Sequence, residues 1–208
     1  MINLYLIRHG RQNSTLCNVD AELSAEGRTQ AELLRDRLMS YPIDAIYSSN
    51  LIRAKQTAEI LNQAFKLPVQ VRENLKEISF GLMTGMTGQY IDEHFHDFNI
   101  EQNKLLNDLP YPGGENGMAV YERVMPVITE LLQSGSHNIL IVTHGGVIRA
   151  LLAALIGRTQ AERFLFAVSL ENTGITQLIY NQENERFYLE RFNDCAHLEG
   201  HRELLRRK

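Results

Sequence analysis

Two histidines in this chain stand in the same local setting. Ile2-Asn3-Leu4-Tyr5-Leu6-Ile7 is an apolar run that closes in Arg8-His9-Gly10, and Asn138-Ile-Leu-Ile-Val-Thr143 closes in His144-Gly145-Gly146. A short apolar run bounded by glycine is the pattern of a buried parallel strand. In open α/β sheets, reactive groups lie just past the carboxyl ends of such strands. Two of these ends can bring His9 and His144 to one site, with Gly10 leaving room for a sharp turn. Arg8 directly precedes His9. Arg53 falls in the first turn of a predicted helix, where a cation opposes the helix dipole and suggests a compensating anion. Glu77 sits between Leu75, Ile78 and Phe80 in a glycine-bounded loop.

Together these side chains suit phosphoryl chemistry. Two guanidiniums match the paired oxygens of a phosphoryl group, each charge-assisted contact contributing roughly 1.5–3 kcal/mol. A neutral histidine with one nitrogen tied to a carbonyl can attack phosphorus through the other. A second histidine, protonated, can stabilise charge on the equatorial oxygens. A carboxylic acid can protonate the leaving alkoxide and then deprotonate water, a role that contributes roughly 10²–10⁴ in rate. The set requires no metal. Taken singly, each residue also has a plain structural reading: a core histidine, a solvent-facing arginine, a surface acid. Repetition of the strand-His-Gly unit is what favours a shared site.

The elements that must position these groups alternate along the chain. After a polar loop from Arg11 to Glu22, Ser24 is a predicted N-cap with Glu26 in the first turn. Ala31, Leu34 and Leu38 follow at helical spacing. Ala45–Ser48 reads as a second strand, and a helix with Ala54, Ala58, Leu61 and Phe65 on one face succeeds it. Val69–Val71 is a third strand, and Leu75–Gly85 a structured loop. From Met83 to Pro112, aromatic residues scattered among polar ones read as a partly helical insertion, a lid over the carboxyl edge of the sheet. A turn at Pro112-Gly113-Gly114-Glu115-Asn116 precedes a helix carrying Val120, Val124, Val127 or Ile128, and Leu131. Pro126 is expected to kink or break it. After the second strand-His-Gly unit, Val147–Leu155 reads as a helix. Strands Gly174–Tyr180 and Arg186–Phe192 form an edge hairpin, and the basic end of the tail reads as a short solvated helix. The expectation is one domain over 1–208, a three-layer α/β/α sandwich on a mostly parallel, doubly wound sheet, with the lid at 83–112 inside it.

Composition narrows the partners. At 208 residues, with 44% hydrophobic and 22% charged residues, the chain is of ordinary globular make-up. A net charge of −4 gives no reason to expect nucleic acid or an anionic membrane surface. No apolar run is long enough to span a bilayer, and the start of the chain lacks a secretory pattern. Cys17 and Cys195 make no disulfide framework, so a reduced, cytoplasmic protein is expected. Glu93-His94-Phe95-His96-Asp97 offers metal-ligating side chains, but His-x-His on a helix points the rings apart. Cys195, His197 and His201 lack a fourth ligand. Neither is assigned a metal.

Six segments, in order, resemble the histidine phosphatase superfamily, the phosphoglycerate-mutase-like enzymes: Arg8-His9-Gly10, Leu23-Ser-Ala-Glu-Gly27, Ser48-Ser-Asn-Leu-Ile-Arg53-Ala-Lys-Gln-Thr-Ala58, Leu75-Lys-Glu77-Ile-Ser-Phe-Gly81, Gly113-Gly-Glu115, and Val142-Thr-His144-Gly-Gly-Val-Ile-Arg149. The resemblance implies that His9 is phosphorylated, that Arg8, Arg53 and His144 form the phosphate pocket with Gly145, and that Glu77 donates the proton. It implies no cofactor. The family often reads Arg-His-Gly-Glu-Thr, with asparagine six residues after the histidine. Here Arg11 and Gln12 follow, and Thr15 holds that position, so Asn13 or Asn18 must substitute; Asn13 is assigned to the pocket. Arg11 is left to a second anionic group or to solvent. The loop from Gly10 to Leu23 lacks a mutase-like Gln-Gly segment. A metal-independent phosphomonoesterase acting on a small phosphorylated metabolite is therefore expected ahead of a phosphoglycerate mutase, and both ahead of a non-catalytic phospho-ligand binder. The sequence leaves the oligomeric state open.

Overall fold

In the computed structural model, which describes residues 1–206, the opening apolar run is β1 (Ile2–Arg8). Its continuous apolarity has a simple cause. Leu4 and Leu6 pack on one face of the sheet, and Tyr5 and Ile7 pack on the other. β4 (Asn138–Thr143) behaves alike, with Ile139 and Ile141 on the first face and Leu140 and Val142 on the second. A strand covered on both faces needs apolar residues at every position rather than every other one.

The six-stranded sheet runs β3-β2-β4-β1-β5-β6. β2 (Ala45–Ser48) and β3 (Val69–Val71) complete its parallel part with β1 and β4. β5 (Ile175–Asn181) and β6 (Arg186–Asp194) add an antiparallel edge hairpin beside β1, as the sequence leads one to expect. α1 (Ala25–Leu38) and α2 (Ile52–Phe65) cover one face through Leu34, Leu38, Ala54, Ala58 and Leu61. α5 (Gly117–Leu132) and α6 (Gly145–Leu155) cover the other through Val120, Val124, Ile128, Val147 and Leu151. This is the expected three-layer α/β/α sandwich. Ser24 caps α1, accepting from Gly27 N at 3.1 Å.

Two local expectations need correction. α5 runs through Pro126 without a break. The proline lies on the exposed side, where the carbonyl it leaves unpaired reaches water. The tail is not a solvated helix: it makes short 3₁₀ turns at Ala196–Leu198 and Arg202–Leu204, with Leu198 and Leu204 buried. Arg207 and Lys208 lie outside the described residues. Between β3 and α5 stand α3 (Gly88–His94) and α4 (His96–Asn103), so the expected insertion is part helical. No helix among the described residues is long and apolar enough to cross a membrane.

Register decides where the site forms. Arg8 pairs with Thr143 across β1 and β4, and Ser48 pairs with Val142 across β2 and β4. The next residues of the three strands, His9, His144 and Ser49, therefore emerge within one residue of each other at one carboxyl edge.

Candidate active site

His9 and His144 meet, their ring centroids 5.0 Å apart. His9 is 4% exposed and His144 fully buried. The His9 ring is clamped by its own backbone surroundings. Nδ1–H donates to Gly10 O at 2.7 Å, which assigns the tautomer and leaves the Nε2 lone pair free to accept from Arg53 Nε at 3.2 Å. His9 N donates to Thr143 O at 3.0 Å, and Asn172 Nδ2 donates to His9 O at 2.8 Å. Gly10 N donates to Thr57 Oγ1, itself bonded to Arg53 O. A side chain at Gly10 would collide with the Gly27 carbonyl, which is why the loop after β1 carries glycine there.

Arg53 is 1% exposed, so the solvent-facing reading of this side chain is excluded. Its Nη1 donates to Val19 O at 2.9 Å and Nη2 to Asn18 Oδ1 at 3.0 Å. Arg8 Nη1 donates to Leu170 O, while Arg8 Nε is buried without a partner. His144 stands at the N-cap of α6. Its Nε2 lies 2.8 Å from Ser49 Oγ, and its Nδ1 is buried without a partner. Glu77 Oε1 accepts from Gly146 N and Ile78 N, each at 2.9 Å. Those two bonds fix the carboxylate against the first turn of α6, and the described residues offer no donor to Oε2.

The electrostatics follow from burial. Desolvation, then Arg53 and Arg8, hold His9 well below the ordinary histidine value. His144 is held down by desolvation, then by His9, Arg53 and Arg8. Both rings are thus neutral, and His144 is not the protonated ring that its expected role calls for. Burial, with Arg206 assisting, also drives Arg8 below its ordinary value, with Glu77 opposing. An arginine does not give up its proton, so a buried cation at Arg8 favours negative charge beside it.

These groups open on a cleft of about 1160 Å³ whose walls include Arg8, His9, Asn13, Asn18, Arg53 and Glu77. A smaller chamber of about 240 Å³ adjoins it and shares Arg8, Glu77, Phe80 and Arg206.

Comparison with known proteins agrees with this geometry. The family model of the histidine phosphatase superfamily (branch 1) matches residues 4–195. The chain belongs to the histidine phosphatase superfamily. A mycobacterial glucosyl-3-phosphoglycerate phosphatase, solved with inorganic phosphate, superposes with a TM-score of 0.85 at 30% identity, covering 95% of this chain and 99% of that one. The alpha-ribazole phosphatase of Shigella flexneri superposes with a TM-score of 0.78 at 28% identity, over 93% and 97% of the two chains. The "Probable phosphoglycerate mutase GpmB" of Salmonella choleraesuis (strain SC-B67) is 28% identical over 211 residues, 96% of each chain. The superfamily and these neighbours are phosphatases and mutases, so the chain is an enzyme.

Not every residue expected at the centre of the site is found there. Asn18, not Asn13, meets Arg53; Asn13 lines the outer cleft, its backbone N bonded to Glu22 O. Gly145 lies behind Arg8, where an added Cβ would stand 3.7 Å from Arg8 Nε, and faces the smaller chamber. Arg11 reaches the tail: its Nη2 donates to Leu204 O at 2.7 Å and Leu205 O at 3.3 Å, and the half-buried side chain also lines the cleft. His94 stacks on Tyr90 with centroids 3.7 Å apart, and His96 belongs to the next helix. Among the described residues no three His, Cys, Asp or Glu side chains are grouped to hold a metal. Cys17 and Cys195 are both free. Sequence reasoning missed Asn172, Arg163 and Arg206, and gave Arg149 no role although it stands in a quoted motif. Only the order Asn172-Thr173-Gly174 before a strand was a usable signal.

Proposed function

We propose that this chain hydrolyses small phosphate monoesters through a phosphohistidine at His9, without a metal ion. The reading rests on one observation above all. His9 is buried and neutral, with Nδ1 tied to Gly10 O and Nε2 beside Arg53. In the first step Nε2 attacks phosphorus and the P–O ester bond breaks. Glu77, in its acid form, passes its proton to the leaving alkoxide. In the second step water attacks the phosphohistidine, the N–P bond breaks, and the Glu77 carboxylate takes the water's proton, restoring the acid. Arg8, Arg53 and His144 bind the phosphoryl oxygens throughout, with Asn13 and Gly145 at the margins of that pocket and Asn18 bonded to Arg53. Three charged or polar side chains around phosphorus, a nucleophile and one acid–base group complete the chemistry, so no cofactor takes part. Segment 83–112 acts as the lid of a single domain: Tyr111 at its end packs on Phe80 with centroids 4.5 Å apart and faces the smaller chamber.

The test is release of phosphate from p-nitrophenyl phosphate with and without EDTA, then from a panel of natural monoesters. Release indifferent to EDTA and reduced by about 10³-fold or more in His9→Ala is expected. Equal rates in wild type and His9→Ala overturn the assignment. A mutase passes through the same phosphohistidine, and the resemblance to GpmB keeps that reading in view. Interconversion of phosphoglycerates with added bisphosphoglycerate, and no phosphate release, would replace the phosphatase by it. Ligand binding with no turnover of either kind would leave a binding protein.

A further inference from the structure

Ser49 is a buried polar residue to which the reaction described above gives no part. It follows β2 directly and is fully buried, as is His144, which follows β4. Three bonds fix its place. Ser49 N donates to Val142 O at 3.0 Å, its carbonyl accepts from Ser48 Oγ at 2.9 Å, and its own Oγ accepts from Leu51 N at 3.2 Å. The remaining contact of that hydroxyl is with His144 Nε2, at 2.8 Å. A serine hydroxyl has one proton to give. Among the described residues it has no other acceptor, so the proton goes to Nε2.

An accepting Nε2 leaves the single proton of an uncharged imidazole on Nδ1. With the proton on Nε2 instead, the Ser49 hydroxyl proton and the Nδ1 lone pair would both be buried without a partner. A charged ring fares no better: its Nε2–H would turn to the Ser49 oxygen, whose own proton would then have no acceptor. In the Nδ1–H tautomer only that one group is left over, and Nδ1 is the atom buried without a partner among the described residues. The charged and titratable groups around the ring act in the same sense. His9 and Arg8 at the end of β1, Arg53 from α2 and Arg123 from α5 all oppose a second proton. Glu77, on the loop beside α6, spends Oε1 on Gly146 N and Ile78 N. Sheet order sets the direction. β4 lies between β2 and β1, and the two nitrogens of an imidazole point to nearly opposite sides. With Nε2 turned to Ser49 after β2, Nδ1 faces the side of β1, where the His9 ring stands 5.0 Å away between centroids.

We propose that Ser49 is a positioning residue for the transfer at His9: its hydroxyl donates to His144 Nε2, holds the ring as the Nδ1–H tautomer, and so presents that N–H to an oxygen of the phosphoryl group on His9. His144 then serves as an uncharged donor aimed at developing negative charge, and it needs no proton from solvent to do so. The inference rests on the proposed reaction for the position of the phosphoryl group, and on the hydrogen bonds alone for the tautomer.

Long-range proton–nitrogen NMR correlations of the histidine rings test the tautomer without turnover, with His144→Gln identifying the His144 signals. The wild type is expected to show N–H at Nδ1 and a bare Nε2 that do not titrate between about pH 5 and 8, where free histidine does. Inorganic phosphate is expected to shift the Nδ1–H signal. Ser49→Ala is expected to mix the two tautomers and to lower kcat on p-nitrophenyl phosphate roughly tenfold. Ser49→Thr keeps the hydroxyl and is expected to restore both. Alkyl phosphates are expected to lose the same factor in Ser49→Ala, because the bond acts on the phosphoryl oxygens and not on the departing one. On the His144→Gln background Ser49→Ala is expected to cost nothing further, since its effect passes through the ring. An Nε2–H or a doubly protonated ring in the wild type overturns the assignment, and so does an Nδ1–H unchanged in Ser49→Ala. The same loss of rate with His144 present and absent overturns it too, and would make Ser49 a packing residue. The wild-type spectrum decides even if Ser49→Ala folds poorly. If the wild type shows an Nδ1–H that phosphate shifts, yet hydrolyses no monoester, the tautomer assignment stands and the phosphatase reaction falls.

Discussion

At Glu77 one carboxylate oxygen is spent and the other is not. Oε1 takes N–H bonds from Gly146 and Ile78, which anchors the group without using the oxygen that must face the reacting ester. Gly146 is part of this arrangement, since a Cβ there would run into the Glu77 carboxylate and come within 2.7 Å of Ile78 Cγ2. Proton donation matters in proportion to the basicity of the departing oxygen. Glu77→Gln keeps an acceptor for the two backbone donors but has no proton to transfer. Its kcat is expected to fall roughly 10²-fold or more on alkyl phosphates and far less on p-nitrophenyl phosphate. An equal loss on both, in a leaving-group series, would take Glu77 out of that role. His9, by contrast, is expected to matter equally for every leaving group, because the phosphohistidine forms whatever departs.

The loop that carries Glu77 is held by elements remote in sequence. Glu115, in the turn before α5, accepts from Ser79 N at 2.8 Å and from Arg123 Nε at 2.7 Å. Arg123, from α5, donates on to Glu77 O at 3.1 Å and Asn74 O at 2.6 Å. Burial acts to raise the Glu115 carboxyl, yet Arg123 and the Ser79 N–H hold it below the usual carboxylate range. Removing one partner of such a half-buried pair leaves the other unsatisfied, at about 1–3 kcal/mol. Glu115→Ala is therefore expected to lower unfolding stability by that amount, and to impair hydrolysis of alkyl phosphates more than of p-nitrophenyl phosphate, because it loosens the acid and not the nucleophile. Denaturant unfolding and the same leaving-group series check both; a stability loss without the kinetic pattern would confine the brace to folding. At this scale sequence was a partial guide. The strands at Leu4–Ile7 and Ile139–Val142 were legible because both faces are buried, and the glycine turn at 113–114 because turns are local. The triangle of Glu77, Glu115 and Arg123 was not, since nothing in the spacing of three charged residues shows that they touch. Arg11's tie to the tail was hidden for the same reason: its partners are backbone carbonyls of Leu204 and Leu205, which carry no side-chain signature.

Across the whole molecule, the tail returns to the carboxyl edge of the sheet and closes one side of the cleft. Gln30, buried in α1, donates to Leu204 O at 2.8 Å alongside Arg11, and Arg206 reaches the pocket wall. A basic, polar ending looks solvated in sequence because composition does not reveal where the chain comes back. His197 fastens this return. Thr173 Oγ1 donates to Asn172 O at 2.6 Å, so it accepts from His197 Nε2–H at 2.9 Å, and His197 Nδ1 is buried without a partner. A second proton on that ring would have no acceptor. Burial, then Arg37, with Asp194 opposing, pulls His197 down to about 4. An unfolded histidine titrates near 6.5. The folded value is therefore the lower one, and the unfolded chain binds the proton first as pH falls. The contribution of His197 is complete above about 6.5, declines as pH drops toward about 4, and then levels off. His9 and His144, lowered by burial, act in the same direction. Asp194, held below its ordinary 3.8 chiefly by Arg37, loses its share only at still lower pH. His197→Gln keeps an N–H for Thr173 and removes the titration. Between pH 7 and 5 the wild type is expected to lose on the order of 1–2 kcal/mol more stability than this variant in urea unfolding. An identical loss in both would mean that acid sensitivity arises at the two histidines of the cleft, and that the latch through Thr173 and Asn172 to the backbone of His9 is indifferent to pH.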